Sequence, residues 1–382
     1  MTLEESITRI KANLTEVLNP EIIDNVILKE KRPLRVYWGT APTGKPHCGY
    51  FVPLVKIAEL LHAGCHVKIL LADVHAKLDN LKSSSEVIQH RCEYYKLLIK
   101  SSLKAIGVDV SKLDFVVGST FQYSRKYQTD RVRFSSIVKY SQVRKAGAEV
   151  VKQGDDPIFS SLDYPIWQSL DEEHLDVDAE LGGVDQRKIF TFAIDHMPKI
   201  GYKVRAHLMN PMVPGLGEAQ KMSSSEPSSK INLLDSPEEV AKKLRKAVCF
   251  PKQVGGNGVI AFIEHVIFRV ASLKAGGKPS FTAETREGEV LVYEDISKLK
   301  EDYESDILTP QMVKPALIKA LNKLLDPIRK DFEADEDWKR VADLAYPVEV
   351  KPEKTNKEMY NGKRSQKLPI RTSTYLVTEE MP

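Results

Sequence analysis

Residues 34–50 read LRVYWGTAPTGKPHCGY, a strand-like segment followed by a turn rich in glycine and proline. The apolar start predicts a buried strand that ends at Gly39, and residues 49–63 predict a helix. The free N–H groups and the positive dipole end of such a helix favour a phosphate, and His47 is placed to donate to a phosphate oxygen. Taken alone, the stretch is also typical of a turn with a structural histidine, because it is neither a Walker A loop nor a Gly-x-Gly-x-x-Gly fingerprint.

Strand and helix patterns alternate on both sides of this turn. HVKILLADVHA (66–76) is a near-continuous apolar segment of the kind that forms strands buried in parallel sheets. Residues 83–107 predict a helix with a capping box that begins at Ser83, and DFVVGST (114–120) predicts a third strand. A helix over residues 3–19 is expected to precede the sheet. The alternation predicts an α/β domain with a doubly wound, parallel sheet.

The pattern changes near residue 236. Residues 1–235 carry the strand–helix alternation, whereas residues 236–350 are mostly helical and predict a smaller second domain. Residues 351–382 are polar and unpatterned, which predicts a disordered, mildly basic tail.

Composition narrows the class of protein. With 382 residues, 42% hydrophobic and 29% charged, the chain has an ordinary globular composition, which excludes disordered and collagen-like proteins. The net charge of +3 means that any nucleic-acid partner would be bound through local basic patches. The four cysteines have no paired spacing, so we expect neither a disulfide scaffold nor a metal site. With no apolar leader and no bilayer-spanning segment, the sequence predicts a cytoplasmic protein that does not bind a membrane.

A second segment, PGLGEAQKMSSSEPSS (214–229), has almost no apolar side chain to bury. Lys221 and the serines that follow it offer a cation and hydroxyl donors, which suit a mobile loop that clamps a polyphosphate as charge develops on it. A solvated linker is the other interpretation of this segment alone.

Together the two segments resemble the paired signatures of the class I aminoacyl-tRNA synthetases. They stand here as His47-Cys48-Gly49-Tyr50 and Lys221-Met222-Ser223-Ser224-Ser225, in the order and at the separation of that family. The resemblance implies a Rossmann-like catalytic domain and ATP as a substrate, with Mg²⁺. It implies that catalysis depends on His47, Gly49, Lys221, Ser223 and Ser225, and that ATP is bound by Gly39, Thr43, His47, Gly49, Gly183, Asp185 and Lys221.

Two positions depart from those signatures. The second histidine of the first signature is replaced by Tyr50, and the second lysine of the loop is replaced by Ser224. One cation is therefore missing from the pyrophosphate clamp, and we expect Mg²⁺ or another cation to compensate for it.

The choice of amino acid depends on a third set of residues. Tyr164, Gln168 and Asp171 are spaced four and three apart, so they share one face of a predicted helix. LGGVDQRK (181–188) adds a glycine pair, an acid and an amide at a strand–helix turn; Asp185 suits a ribose and Gln186 the substrate carboxyl or carbonyl.

This set is similar to that of the eukaryotic and archaeal tyrosyl-tRNA synthetases, and the similarity extends over nearly all of residues 1–350. It implies that Tyr37 and Asp171 hold a phenolic hydroxyl, and that the α-amino group is held by Tyr164 and Gln168, with Gln186 nearby. Such an enzyme joins L-tyrosine to ATP, releases pyrophosphate, and transfers the tyrosyl group to the 3′ end of tRNA(Tyr).

The resemblance also implies partners. An insertion over about residues 119–163 usually forms the interface of a homodimer, and its apolar residues here are Phe121, Tyr123, Val132, Phe134, Ile137 and Val138. Arg144, Lys145 and Lys152 are expected at the tRNA acceptor stem, although a solvated helix face explains each of them equally well. The helical second domain is expected to bind the anticodon. Met312 stands where the family commonly has an acid, so Trp338 and the helix LNKLLDPIRKDF are alternative anticodon contacts.

Two other functions fit the same scaffold. One is a tryptophanyl relative, against which Tyr37, Asp171 and the GGVDQ segment argue. The other is a catalytically silent RNA-binding protein, against which the intact His47, Lys221 and Gln186 argue.

Overall fold

A computed structural model describes residues 1–79, 83–151, 158–216, 230–273 and 278–347 of the chain. Its centre is a six-stranded sheet of order β1-β6-β5-β2-β3-β4, and a separate two-stranded sheet is formed by β7 and β8. The strands are β1 (Glu16–Leu18), β2 (Arg35–Thr40), β3 (His66–Leu71), β4 (Leu113–Val117), β5 (Ala179–Gly183), β6 (Ala206–Asn210), β7 (Phe281–Glu284) and β8 (Val290–Tyr293).

The large sheet is parallel except at β1, which pairs with β6 in the antiparallel sense. From β2 the chain proceeds outward through β3 to β4, then returns to the other side of β2 with β5 and β6. The winding direction therefore reverses between β2 and β5, which confirms the predicted doubly wound α/β class.

Helices cover both faces of this sheet. Alternate residues of β2 face opposite layers. Val36 and Trp38 belong to the core under α3 (Phe51–His62) and α5 (Ser85–Ala105), whereas Tyr37 faces the layer of α9 (Phe159–His174). The helices are α1 (Leu3–Lys11), α2 (Pro20–Asp24), α3 (Phe51–His62), α4 (Asp73–Asp79), α5 (Ser85–Ala105), α6 (Ser119–Gln122), α7 (Arg125–Ser135), α8 (Tyr140–Gly147), α9 (Phe159–His174), α10 (Arg187–His196), α11 (Pro237–Lys246), α12 (Gly258–Phe262), α13 (Arg269–Leu273), α14 (Ile296–Glu304), α15 (Pro310–Ala334) and α16 (Glu336–Ala345).

The region after residue 236 is mostly helical, as predicted, but it also contains the β7–β8 hairpin, which was not predicted. Its helices α15 and α16 pack on α5 and share the core of the large sheet. Ser101 donates to Asp331 at 2.7 Å, and Arg91 donates to the carbonyl of Ala345 at 3.0 Å. A functional boundary near residue 236 stays a prediction, and the predicted tail over 351–382 lies outside the described residues.

Four predicted boundaries are wrong. The helix expected over residues 3–19 ends at Lys11, because Asn13 has a left-handed backbone (φ 58°) and Glu16–Leu18 pairs with β6 instead. The strand expected over residues 66–76 ends at Leu71, and α4 begins at Asp73. Its buried apolar sequence is equally compatible with a strand or a helix.

The third error concerns the start of α5, where the capping residue is Ser84, whose hydroxyl accepts from the backbone N–H of Val87. The expected cap Ser83 instead accepts from Arg91. The strand predicted over 114–120 is shifted to Leu113–Val117, because Ser119 already belongs to α6. Within the described residues, no helix combines the length and apolar character needed to cross a membrane.

Candidate active site

A crevice opens where the carboxyl ends of β2 and β5 diverge, the position at which open α/β sheets bind their ligands. Strand β2 ends at Thr40 and continues into the glycine–proline turn, while β5 ends at Gly183 and continues into the short turn Val184–Gln186. The turn that contains His47 and the start of the LGGVDQRK segment (181–188) therefore lie at the same edge of the sheet.

A pocket beside this crevice contains the predicted specificity residues. It is lined by Tyr37 from β2, by Tyr164, Gln168 and Asp171 from α9, and by Gln186 after β5. Helix α9 places its three side chains on one face, as their spacing predicted. The structure thus brings together all five residues that were expected to surround the amino acid.

Asp171 closes the pocket with a fully buried carboxyl group. Its Oδ1 accepts from Gln122 Nε2 at 2.8 Å and from the hydroxyl of Tyr127 at 2.9 Å. Its Oδ2 has no hydrogen-bond donor among the described residues, and the nearest ring nitrogen, Nε2 of His75, is 3.8 Å away. Burial raises the pKa of Asp171 to about 8. A buried carboxyl oxygen without a partner is a site for a hydroxyl group of a ligand, which donates to the ionised carboxylate or accepts from the protonated carboxyl group.

His75 and Gln122 belong to this end of the pocket but were not predicted from the sequence. Both ring nitrogens of His75 lack a partner within the described part of the chain, and burial lowers the pKa of the ring to about 3, so it is neutral. The ring packs edge-on against Tyr164 with centroids 4.6 Å apart. His75 lies in the helix after β3, and Gln122 lies in the helix after β4. A polar residue shortly after a strand was the feature of the sequence that could have indicated both.

The other end of the pocket is built from side-chain amides. Gln168 Nε2 donates to Gln186 Oε1 at 3.0 Å and to Glu180 Oε1 at 2.7 Å. Gly182 allows this close approach, because a Cβ there would lie 2.4 Å from Oε1 of Gln186 and 2.6 Å from the ring of Phe190. Glu180 is a further residue that the sequence interpretation missed.

The turn after β2 places His47 at the N-cap of a short helical turn, Cys48–Tyr50. Its Nδ1 accepts from the N–H of Gly49 at 3.2 Å, and burial lowers the pKa of the ring to about 4, with a smaller contribution from the charge of Lys230. A neutral imidazole that accepts at Nδ1 carries its proton on Nε2, so His47 is a hydrogen-bond donor at that atom. This is the property that phosphate binding requires.

Tyr50, which departs from the family signature, is an integral part of the turn. Its hydroxyl lies 3.0 Å from Oγ1 of Thr40, and its ring packs edge-on against His47 and Tyr95. The ring of Tyr50 therefore packs against His47 and helps to hold the imidazole in the turn.

A cation that was not predicted lies beside the same turn. Lys230 is 5% exposed and immediately precedes the segment that pairs with the turn, where Cys48 N–H donates to the carbonyl of Ile231 at 2.8 Å. Burial, followed by the charge of Lys243, lowers the pKa of Lys230. The predicted loop residues Lys221, Ser223 and Ser225 lie outside the described residues, and so does Lys152.

The remaining predicted ATP residues surround the crevice. Gly39 lines the pocket near the end of β2, and Thr43 is half-buried in the turn that follows. Gly183 is the last residue of β5, and Asp185 lies in the turn after it. Among the described residues, one set has side chains arranged to hold a metal ion, Glu172, Glu180 and His207, and all three are buried.

Comparison with known proteins decides the family. A family model described as tRNA synthetases class I (W and Y) matches residues 29–326. The cytoplasmic tyrosine–tRNA ligase of Saccharomyces cerevisiae is 46% identical over 373 residues, which cover 97% of this chain and 94% of that protein. The chain belongs to the class I tyrosine–tRNA ligases. This confirms the predicted family.

Other tyrosine–tRNA ligases agree. The cytoplasmic enzyme of Xenopus tropicalis is 49% identical over 354 residues, 91% of this chain but only 64% of the longer frog protein. The crystal structure of tyrosyl-tRNA synthetase from Pyrococcus horikoshii, complexed with L-tyrosine, has a TM-score of 0.81 at 29% identity and covers 89% of this chain and 99% of that one. Both sequence relatives are named cytoplasmic enzymes, which confirms the predicted location.

Two side chains correct earlier expectations about partners of this tyrosine–tRNA ligase. Phe134, expected at a dimer interface, is fully buried against Phe192, because α7 packs its apolar face into the core of the chain itself. Trp338, an alternative anticodon contact, is only 2% exposed, because it packs against Tyr94 and Phe332.

Proposed function

We propose that this chain activates L-tyrosine with ATP and transfers the tyrosyl group to tRNA(Tyr). The observation that carries the proposal is the buried Oδ2 of Asp171, which lacks a hydrogen-bond partner in the described structure and lines a pocket that also has apolar walls, Leu70 and Ala72. A phenolic hydroxyl supplies that partner. An indole is a larger group than a phenol, and phenylalanine would leave the oxygen without a partner.

The residues at the two ends of the pocket divide the work. Tyr37 and Asp171 hold the phenol, while Tyr164, Gln168 and Gln186 receive the α-ammonium group and direct the carboxylate towards the crevice. The carboxylate attacks the α-phosphorus of ATP and pyrophosphate leaves, so no general base is required. Catalysis then consists of positioning the reactants and stabilising the charge that develops on the phosphates.

ATP is placed at the turn after β2. His47 donates from Nε2 to a phosphate oxygen. The nucleotide approaches the backbone at Gly39, Thr43 and Gly49. The ribose is held by Gly183 and Asp185. Lys221, Ser223 and Ser225 bind the pyrophosphate as it separates.

Mg²⁺ accompanies ATP as part of the substrate in this proposal. Among the described residues, the set of side chains arranged to hold a metal ion, Glu172, Glu180 and His207, does not belong to the turn that carries His47. With Ser224 in place of a second lysine, the activation rate depends on Mg²⁺ or on another added cation. A rate that is unaffected both by Ser224→Lys and by cation concentration contradicts this part.

The macromolecular partners are proposed on exposed side chains. Arg144 and Lys145 are exposed at the end of α8 and are assigned to the tRNA acceptor stem, while the helices after residue 236 are assigned to the anticodon. A homodimer is proposed through the insertion, where Tyr123 is 54% and Val132 is 66% exposed. Sedimentation equilibrium of Val132→Glu tests the dimer, because a charge at the interface shifts the chain to a monomer.

The deciding experiment is ATP–pyrophosphate exchange by the purified chain with tyrosine, tryptophan or phenylalanine. Exchange with tyrosine alone supports the proposal, and exchange with tryptophan alone favours the tryptophanyl alternative. A folded chain that binds tRNA without any exchange is the silent RNA-binding protein. His47→Ala serves as the inactive control.

A further inference from the structure

A carboxylic acid occupies the middle of the central strand β5. Glu180 is 2% exposed, although strands buried in parallel sheets are usually apolar on both faces. Burying such a group is costly unless it is hydrogen-bonded. The hydrogen bonds of Glu180 therefore indicate which side chains it holds in position.

The main contact of Glu180 is the side-chain amide of Gln168. Gln168 Nε2 lies 2.7 Å from Oε1 of Glu180 and 3.0 Å from Oε1 of Gln186. A primary amide has two N–H groups, so these two acceptors use both of them. The amide oxygen of Gln168 is then the atom left for the pocket, and an oxygen is what an ammonium group requires.

The opposite orientation of the amide has nearly the same shape. Turned over, Gln168 would present N–H groups to the ammonium and its oxygen to Glu180, so that donor meets donor and acceptor meets acceptor. An acceptor oxygen of the Glu180 carboxyl group at 2.7 Å rejects this orientation.

The sheet fixes Glu180 in this place. Glu180 is directly opposite Tyr37 on β2 and His207 on β6, so the three side chains form a row on the α9 face. At the end of the row, His207 Nε2 lies 2.8 Å from Oε1 of Glu172. Because both neighbours are buried, the carboxyl group has little freedom to move.

We propose that Glu180 is a positioning residue for the amino-acid substrate. Its carboxyl oxygen orients the Gln168 amide so that Oε1 of Gln168 receives the α-ammonium group. This inference rests on the tyrosine activation proposed above. Glu180 acts through Gln168 and does not contact the substrate.

Three variants separate the acceptor oxygen from its reach. Glu180→Gln keeps an acceptor oxygen at the same reach, Glu180→Asp keeps the carboxyl group on a shorter side chain, and Glu180→Met removes the acceptor. In tyrosine-dependent pyrophosphate exchange, Glu180→Gln keeps the KM for tyrosine within about threefold of the wild type, whereas Glu180→Asp and Glu180→Met raise it about tenfold. The KM for ATP and kcat stay within about twofold, because the reacting atoms are unaffected.

A double-mutant cycle tests the route through Gln168. In a Gln168→Ala background, Glu180→Asp causes no further rise in the KM for tyrosine, because the amide that Glu180 orients is absent. Additive effects of the two substitutions overturn the inference, and so does a normal KM in both Glu180→Asp and Glu180→Met. Thermal unfolding identifies a variant that fails to fold, and Glu180→Asp keeps the test valid if Glu180→Met is unstable. A wild type without tyrosine-dependent exchange refutes the proposed function, whereas an active wild type with unaffected variants refutes only the role of Glu180.

Discussion

The carboxyl group of Asp171 combines two situations that proteins usually avoid, full burial and an oxygen without a donor in the described structure. If tyrosine supplies the donor, phenylalanine binds with that oxygen left unsatisfied. We expect Asp171→Ala to lower the Tyr/Phe ratio of kcat/KM at least about tenfold, which corresponds to about 1.4 kcal/mol of lost discrimination. Pyrophosphate exchange with each amino acid measures it.

A matched control for this substitution lies on the same helix. Asp163 is also buried, but it accepts from Arg131 and from the indole of Trp167, outside the pocket. Asp163→Ala is expected to lower stability and to leave the ratio unchanged. An unaltered ratio in Asp171→Ala refutes the assignment of this carboxyl group to the phenol.

The raised pKa of Asp171 also predicts how the free energy of unfolding changes with pH. Its pKa rises from the ordinary 3.8 to about 8 because it is buried. Between those values the folded chain keeps a proton that the unfolded chain releases, so this group lowers the free energy of unfolding as pH rises, by at most about 1.4 kcal/mol per unit. Asp171→Asn lacks the proton but keeps an oxygen for Gln122 and Tyr127. Urea unfolding at pH 5 and pH 8 measures this. The free energy of unfolding of Asp171→Asn, relative to that of the wild type, should be higher at pH 8 than at pH 5. An equal difference at both pH values argues against the raised pKa.

Sequence reasoning was most successful at the level of single residues that face a ligand. Tyr37, Tyr164, Gln168, Asp171 and Gln186 come together as expected, because residue spacing on a helix and position at a strand end are properties of the sequence. His75 and Gln122 follow strands, which is visible in the sequence. They and Glu180 were still missed, because their closeness to the pocket depends on which strands become neighbours, and a single sequence does not contain that pairing.

Among the elements, the end of β5 leaves little space for side chains at its two glycines. A Cβ on Gly182 would collide with Gln186 and with the ring of Phe190, whereas a Cβ on Gly183 would meet the end of the Asp185 side chain. We expect Gly182→Ala to displace Gln186 and raise the KM for tyrosine about tenfold or more. Gly183→Ala is the paired control and should change the KM for ATP instead. Equal effects of both variants on both substrates would indicate general disruption of the turn.

Strand and helix types were predicted better than their ends. Strand β2 was placed within a residue, since an alternating, apolar segment ends at a glycine. The end of the strand in segment 66–76 was predicted wrongly, because Asp73 starts α4. Asp73 accepts hydrogen bonds from Ser119 and Gln89, residues that are distant from it in the sequence. The β7–β8 hairpin was missed because the sequence on both sides of it has helical patterns.

At the scale of the whole molecule, the end of α16 reaches back to the turn after β2. The carbonyl of Gly44 accepts from Tyr95 at 2.5 Å and from Tyr346 at 2.9 Å, and the ring of Tyr346 lies under Lys45 and Arg91. Tyr346→Phe keeps the ring and removes one donor, so we expect the free energy of unfolding to fall by about 1 kcal/mol. Urea denaturation measures this.

Tyr140→Phe is the control for that substitution, because Tyr140 is 57% exposed. It should leave the unfolding midpoint unchanged. Equal stability of Tyr346→Phe and the wild type would mean that Tyr95 alone satisfies the carbonyl of Gly44.

The contact between Gly44 and Tyr346 spans 302 positions of the chain, which matters while the protein is being synthesised. At roughly 5–20 residues per second, about 15–60 s separate the translation of the turn from that of its second phenol donor. Before Tyr346 is made, the nascent chain contains the sheet and the turn that carries His47, but not the full support of that turn. If the turn binds ATP as proposed, it gains its complete set of supporting contacts only after residue 346 has left the ribosome.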